Sequence, residues 1–557
     1  MFFNFRPKLL DCLSGYDRTQ LGKDVASGVT VGVLALPLAM AFAIASNASP
    51  ASGIWTAIVA GFLISALGGS RVQIGGPTGA FIPIVYGIVT LYGFSGLLVA
   101  TMLAGVFLLA MGIFRMGQLI RFIPVAVVIG FTNGIAVVIF MAQLKDFLGL
   151  AIDAMPPDFF GKIRVLSESL HLIHLPTLAL AIVSFIFLAF YNRLAKIRAL
   201  GFLRRAPGPL MVLVLGTAAT ALFELPVDTI GSRFPGGIPQ EFPGLALPAL
   251  SLENLSHLIS PAIAIALLGA IESLLSARVA DASIEDSHDP NQELVAQGIA
   301  NIVVPLFGGF AATGAIARTA TNIRSGGRTP IAGIVHAIVL LAIVLLLAPL
   351  ASHIPLATLS AIVVMVSINM FELEGFRKLR TFSSNYRIIM LSTFLMTVVF
   401  GLTIAIEVGM VLACLFFIYR ISDLTTIEAI PLANTASPVR FDASGKSRIA
   451  AWRVYGALFF GAASKLEALL SHEPDVVILD TQSLIQIDST GLDALENLHG
   501  KLIKRNAILF ITGLHGQPKT TLERVGFLRE VGAENLFPNI IAALRAAERR
   551  LQESDAG

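Results

Sequence analysis

The chain has 557 residues, 55% of them hydrophobic and only 13% charged, and its mean hydropathy is +0.80. Soluble domains carry about 25% charged residues, so this composition excludes a disordered chain, a nucleic-acid binder and a single water-soluble globule. The net charge of +3 is too small to argue for a polyanionic partner.

The charge is unevenly spread. Residues 431–557 carry 28 Asp, Glu, Lys and Arg, against 47 in the much longer stretch 1–430. That shift divides the chain into a short cytoplasmic segment 1–23, a membrane domain 24–423, a linker 424–437 and a soluble domain 438–557. Lys8, Asp11, Asp17, Arg18 and Lys23 interrupt any apolar run at the start, so no signal peptide is expected. Cys12 and Cys414 are too far apart in sequence to suggest a disulfide or metal framework. No H-E-x-x-H, C-x-x-C, G-x-S-x-G or Walker A spacing occurs. A soluble enzyme and an ATP-driven pump with its own motor are therefore not expected, and neither is a cofactor.

A bilayer span needs about 20 mostly apolar residues. In chain order, such segments are Val25–Ser46, Ile54–Leu67, Leu97–Phe114, Ile123–Met141, Leu175–Tyr191, Leu210–Phe223, Pro261–Leu275, Ile331–Leu350, Leu356–Met370 and Ile388–Tyr419. The last is long enough for two spans joined at Gly401. Shorter Gly- or Pro-interrupted segments lie at Gly76–Leu91, Ala296–Phe307 and Ala311–Ile323, giving about fourteen membrane elements. Two basic clusters, Arg193/Lys196/Arg198/Arg204/Arg205 and Arg377/Lys378/Arg380, read as cytoplasmic. Loops 146–168 and 224–257 read as external, which places both termini in the cytoplasm.

Short broken helices at matching places in two inverted halves point to a transporter's binding site. Gly75-Gly76-Pro77-Thr78-Gly79-Ala80 and Gly308-Gly309-Phe310-Ala311-Ala312-Thr313-Gly314-Ala315 form such a pair. Thr78 and Thr313 are 235 positions apart, and the same offset carries Pro37 to Glu272. Half-helices starting inside the membrane would aim free N–H groups and positive dipole ends at one another, a cavity suited to an anion. Small residues such as Gly79 and Ala312 would allow close backbone approach. The alternative is a small-residue packing interface.

Within the spans, Glu272 is a carboxylate costing roughly 2.5–3.5 kcal/mol at the bilayer centre. It suits a proton or sodium pathway, or a permanently protonated bond to a neighbouring helix. Arg318 either adds positive field to the cavity or snorkels into an internal pair. Glu407 reads as interfacial, and His336 and His353 as satisfied interior or interface histidines.

Several of these motifs together resemble the SulP (sulfate permease) family over nearly the whole chain. They are Leu36-Pro37-Leu38-Ala39-Met40-Ala41-Phe42-Ala43, Gly75-Gly76-Pro77-Thr78, Gly269-Ala270-Ile271-Glu272-Ser273, Ile316-Ala317-Arg318-Thr319-Ala320-Thr321-Asn322 and Gly326-Gly327-Arg328-Thr329-Pro330. Ile487-Asp488-Ser489-Thr490-Gly491-Leu492 resembles a STAS domain. The resemblance implies a polytopic α-helical fold with a seven-plus-seven inverted repeat split into core and gate, a cytoplasmic α/β STAS domain, and a homodimer in a bacterial inner membrane. It also implies an anion site lined by Phe42, Thr78, Gly79, Ala312, Thr313 and Ala317 with Arg318 nearby, and ion coupling at Glu272 and Ser276 by protons or sodium. Leu38 departs from the Gln that many members carry and counts against a sulfate-like site. Leu36–Ala43 and Gly269–Leu275 look closest to DauA-type C4-dicarboxylate transporters, which are proton-coupled.

In residues 438–557, Ile449–Tyr455, Val476–Asp480 and Ala507–Thr512 read as strands. Ala462–Leu470, Leu492–Leu502, Thr520–Val525 and Ile540–Leu551 read as helices. Asp488, Ser489 and Thr490 suit an N-cap. By resemblance Thr490 is also a candidate phosphoacceptor, and the domain a candidate site for a cytosolic protein partner.

Overall fold

The computed structural model describes residues 5–118, 124–152, 155–156, 158–194, 207–234, 243–248, 252–431, 448–459, 466 and 474–556. The chain divides into two compact units, Met1–Val411 and Leu412–Gly557. Lys196, Arg198, Arg204, Arg205 and all of the expected helix Ala462–Leu470 except Leu466 lie outside the described residues.

The first half of the membrane region forms α1 (Arg18–Ala45), α2 (Pro50–Leu67), α3 (Ile82–Ile113), α4 (Val125–Leu148), α5 (Leu175–Leu194) and α6 (Gly208–Leu222). Among the described residues six helices of the region are long and apolar enough to cross a membrane. α3 is two helices joined at Gly93, whose φ of 70° and ψ of 177° only glycine adopts without strain. Counting its arms separately, these are seven long helices among the described residues, and the first arm takes up Ile82–Leu91 of the expected short segment Gly76–Leu91.

The second half forms, among the described residues, the long helices α7 (Leu252–Ile284), α8 (Pro290–Val303), α9 (Ile316–Arg324), α10 (Ile331–Ala351), α11 (Leu356–Met370), α12 (Ser384–Phe400) and α13 (Leu402–Leu424), with the short helix Leu373–Arg377 between α11 and α12. The expected break at Gly401 separates α12 from α13, with φ at 87°. Local chemistry sets the starts. Ser49 caps α2 through the Ser52 N–H ahead of Pro50, and Asp289 caps α8 through the Asn291 and Gln292 N–H groups ahead of Pro290.

Packing sorts these helices into two sets. α1, α2, α3, α7, α8, α9 and α10 pack chiefly on one another: α8 on α3 and α2, α10 on α1 and α2, and α9 on α7 and α1. A second set is built by α4 on α11 and α12, with α5 on α11 and α6. These are the core and gate of the expected inverted repeat.

The two halves meet in a minimal ladder. β1 (Gly75–Gly76) and β2 (Thr313–Gly314) pair antiparallel, Gly75 with Gly314 and Gly76 with Thr313. Gly75 and Thr313 therefore hold equivalent places, 238 positions apart, and the 235-residue offset read from the strings is wrong. Gly308 and Gly309 do not match Gly75 and Gly76: Gly308 ends the turn Val304–Phe307 in a left-handed conformation. The corrected offset moves the counterpart of Pro37 from Glu272 to Leu275.

The second unit is a five-stranded sheet in the order β3 (Thr426–Ala429), β4 (Ile449–Leu458), β5 (Val476–Ile487), β6 (Ile508–Thr512), β7 (Leu536–Phe537). β3 is antiparallel to β4 and the others run parallel. Thr426–Ala429 thus places an edge strand inside the segment 424–437 expected as linker. β5 is buried on both faces, as parallel strands are. Val477 and Leu479 pack with Leu495 and Leu498 of α14 (Ser489–Ile503) and Leu522 of α15 (Gly516–Val525). Val476 and Ile478 face Ala543, Leu544 and Ala547 of the C-terminal helix Ile540–Ala556.

Candidate functional site

The ladder's antiparallel sense sends the two chains out in opposite directions, so each begins its half-helix with the N-terminus turned toward the other. On one side Thr78 stands at the cap of the turn Gly79–Phe81 that leads into α3; on the other Ala315 caps α9. Among the described residues no acceptor faces the N–H groups of Gly79, Ala80, Ile316 or Ala317. Such free donors at a helix start attract negative charge.

Side chains hold this backbone in place. Asn301 of α8 brackets the Ala312 peptide: its Oδ1 accepts the Ala312 N–H and its Nδ2 donates to the Ala312 carbonyl, each at 2.9 Å. The Thr313 hydroxyl donates to the Gly269 carbonyl at 2.9 Å, which docks β2 on α7. Across the ladder the Ala315 N–H donates to the Ile74 carbonyl at 2.8 Å, and the Ile74 N–H donates to Thr319 Oγ1 at 3.1 Å. Ser276, one turn beyond Glu272, is buried and donates to the same Thr319 hydroxyl at 3.3 Å.

Glu272 points the other way, onto the first half-helix. Thr78 Oγ1 donates to Glu272 Oε2 at 2.8 Å. Arg318 is 1% exposed. Its guanidinium reaches over the ladder to the carbonyls of Gly75, at 3.4 Å, and of Pro77. Among the described residues no carboxylate pairs with it. Arg318 thus ties the start of one half-helix to the other rather than snorkelling or forming an internal ion pair.

The open side is apolar. A Cβ on Gly79 would lie 3.5 Å from Val366 Cγ1 and Met370 Sδ of α11, and 3.7 Å from Phe42 Cε1. Phe42, Gly79 and Ala312 are buried, Thr78 and Glu272 partly so, and Ala317 is exposed. The structure therefore draws Phe42, Thr78, Gly79 and Glu272 into one group, with Ala317 and Arg318 on the facing half-helix, while Ala312 and Thr313 lie on the chain leading into it, Ala312 packed against Val59, Ala60 and Ala300 and Thr313 bonded to Gly269. Ser276 sits behind them at Thr319. In the second unit, Asp488 caps α14 through the Gly491 N–H at 2.8 Å, while Thr490 lies on its first turn, half-buried.

Sequence reasoning missed Asn301 and Glu293. Glu293 is fully buried on α8, where it accepts from the Gly69 N–H at 3.0 Å and Gln297 Nε2 at 2.9 Å. The signal was a polar stripe at Glu293, Gln297 and Asn301, spaced four apart on one helix face. His336 also corrects the expectation of a satisfied histidine. It is fully buried on α10, and neither ring nitrogen has a hydrogen-bond partner among the described residues. His353 is exposed beside Ser352, and Glu407 is exposed.

The chain is similar to known proteins over most of its length. A model of the sulfate permease family matches residues 21–393, and one of the STAS domain matches residues 440–543. The putative sulfate transporter YvdB of Bacillus subtilis is 39% identical over 528 residues, covering 94% of this chain and 97% of its own. The bicarbonate transporter BicA of Picosynechococcus is 30% identical over 542 residues, 94% of each chain. The solved transmembrane domain of a cyanobacterial BicA matches with a TM-score of 0.62 at 30% identity, over 72% of this chain and 98% of that one. SLC26A9 matches with a TM-score of 0.84 over 99% of this chain and 93% of its own, at 18% identity, a likeness of fold.

Proposed function

The chain belongs to the sulfate permease family, and from that premise we propose a secondary active, proton-coupled carrier of small anions. The anion sits between the starts of α3 and α9, held by backbone N–H groups, against an apolar wall of Phe42, Val366 and Met370. Sulfate or bicarbonate fits this reading through the relatives named for them, and C4-dicarboxylates through the Leu36–Ala43 and Gly269–Leu275 motifs. The setting is a bacterial inner membrane with both termini cytoplasmic and a homodimeric assembly.

The single observation that carries the coupling is the bond between Thr78 and Glu272. An ionised Glu272 beside the anion would repel it by about 4 kcal/mol, taking 4 Å and an effective dielectric of 20. Protonating Glu272 removes that repulsion, so anion and proton bind together. Sodium could neutralise the same carboxylate, but it would need further oxygens around Glu272. Ser276, the partner that the family resemblance implies, is turned to Thr319.

A competition panel tests the reading. In proteoliposomes, sulfate, bicarbonate, succinate, fumarate and aspartate are set against labelled sulfate and labelled succinate, with pH and sodium gradients imposed separately. Uphill uptake driven by an inward proton gradient is expected. Uptake driven only by sodium would reassign the coupling ion. Conductance independent of either gradient would make the protein a channel, and no flux would leave the STAS domain as the functional part.

A further inference from the structure

Behind the ladder lies a buried polar cluster that the anion site does not use. Glu293 and Gln297 of α8 and Ser273 of α7 are fully buried, and Gln73, just before β1, is 3% exposed. Their bonds converge. Gln297 Nε2 donates to Glu293 Oε1 at 2.9 Å, and the Ser273 hydroxyl donates to the same oxygen at 3.4 Å. Gln73 Nε2 donates to the Ser273 carbonyl at 3.0 Å and to its hydroxyl oxygen at 3.4 Å. Glu293 Oε2 accepts from the Gly69 N–H at 3.0 Å.

Three oxygens are left over. Gln73 Oε1, Gln297 Oε1 and the hydroxyl of Ser70, next to Gly69, are buried and have no hydrogen-bond partner among the described residues. Buried polar atoms are seldom orphaned. Turning the amides over does not help. A flipped Gln73 would set its oxygen against the Ser273 carbonyl, and a flipped Gln297 would set its oxygen against the Glu293 carboxylate. Each amide nitrogen is thus pinned by an acceptor, and each amide oxygen is left bare.

Among the described residues, the side chains that bond to Glu293 are the neutral Ser273 and Gln297. The histidine whose charge acts on it, His288, is held by Asp281 at 2.6 Å. Carboxylate, amide and hydroxyl oxygens form a hard donor set, suited to alkali and alkaline-earth cations. One carboxylate balances one positive charge, and a divalent ion would leave an excess in a dry interior. Close packing favours the smaller alkali ions. A Cβ on Gly68 would stand 2.9 Å from Glu293 Oε2, and one on Gly314 would overlap Gln73 Nε2.

We propose that this cluster is a sodium site, with the Glu293 carboxylate, the Gln73 and Gln297 amide oxygens and the Ser70 and Ser273 hydroxyls as its ligands. Glu272 is not part of it: its carboxylate turns to Thr78, while Ser273, the next residue, turns to Glu293. The ion ties α7 and α8 to the chain entering β1, the three parts that carry Glu272, Asn301 and the first half-helix. Its support of the half-helices rests on the anion-carrier reading, but its binding of sodium does not.

The test uses the purified full-length protein, stripped of sodium in N-methylglucamine chloride and then given radioactive sodium at constant ionic strength and chloride. The parent is expected to retain sodium saturably. Glu293→Gln loses it, and Glu272→Gln keeps it. Sodium also raises the melting temperature of the parent and of Glu272→Gln, as a ligand of the folded state does, and leaves that of Glu293→Gln unmoved. Ser70→Ala removes a hydroxyl that has no hydrogen-bond partner among the described residues, so it leaves the fold intact and weakens sodium binding by about tenfold. No retained sodium, retention by Glu293→Gln equal to the parent's, or a loss confined to Glu272→Gln overturns the proposal. Should Glu293→Gln fail to fold, an unchanged sodium affinity in Ser70→Ala overturns it. Retention needs no flux, so a protein that moves no anion defeats the carrier reading while sodium binding still decides this one.

Discussion

At the scale of single residues, Gly79 is where half-helix, first membrane helix and gate come closest. The space a Cβ would enter is bounded by Phe42 on one side and Val366 and Met370 on the other, all at ordinary contact distance. Gly79→Ala should therefore fold normally and keep transport. Gly79→Leu should fill the apolar side of the anion cavity and cut uptake by at least about tenfold, while overpacking costs no more than about 1–3 kcal/mol. Uptake in proteoliposomes together with thermal unfolding in detergent checks this, and a leucine variant that transports like the parent would move the binding site elsewhere. Glu272 and Arg318 were legible in the sequence because a charge inside an apolar span is conspicuous. Their partners were not. Nothing in one dimension says that Glu272 accepts from Thr78, 194 positions earlier, or that Arg318 reaches the Gly75 and Pro77 carbonyls.

At the scale of elements, the half-helices depend on neighbours that contribute no lining. Asn301 satisfies both polar groups of the Ala312 peptide in a dry interior. Asn301→Ala would strand a buried N–H and a buried carbonyl, at about 1–3 kcal/mol each. The melting temperature should fall clearly, whereas Asn301→Asp, which keeps the acceptor, should fall less. Equal melting of Asn301→Ala and the parent would show that the peptide is held otherwise.

Most helices could be read from hydropathy, and so could the break at Gly401, because an apolar run far longer than one span must turn; the kink at Gly93 was not read. The repeat's register could not be read. Matching Gly-Gly and Thr-Gly-Ala strings suggested 235, while the ladder pairs Gly75 with Gly314 and Gly76 with Thr313, so that exchanging the two strands carries Gly75 onto Thr313, 238 positions on. Backbone pairing, and not side-chain likeness, defines equivalence at a symmetry axis. Thr426–Ala429 was missed because a four-residue edge strand with an exposed Glu428 carries no alternation strong enough to distinguish it from a linker.

At the scale of the whole molecule, the proposed carrier would bind its anion through backbone dipoles in a membrane unit poor in charge, with the Glu272 carboxylate where the anion would meet it. On that proposal coupling follows from electrostatics: the anion would enter when the carboxylate is neutral and leave when it ionises. The most direct test compares the full-length protein with Glu272→Gln in proteoliposomes under an inward proton gradient. The account predicts that the parent accumulates labelled anion above its equilibrium level. Glu272→Gln, neutral at every pH, should still exchange anion across the membrane but accumulate none. Accumulation by Glu272→Gln equal to that of the parent would contradict it.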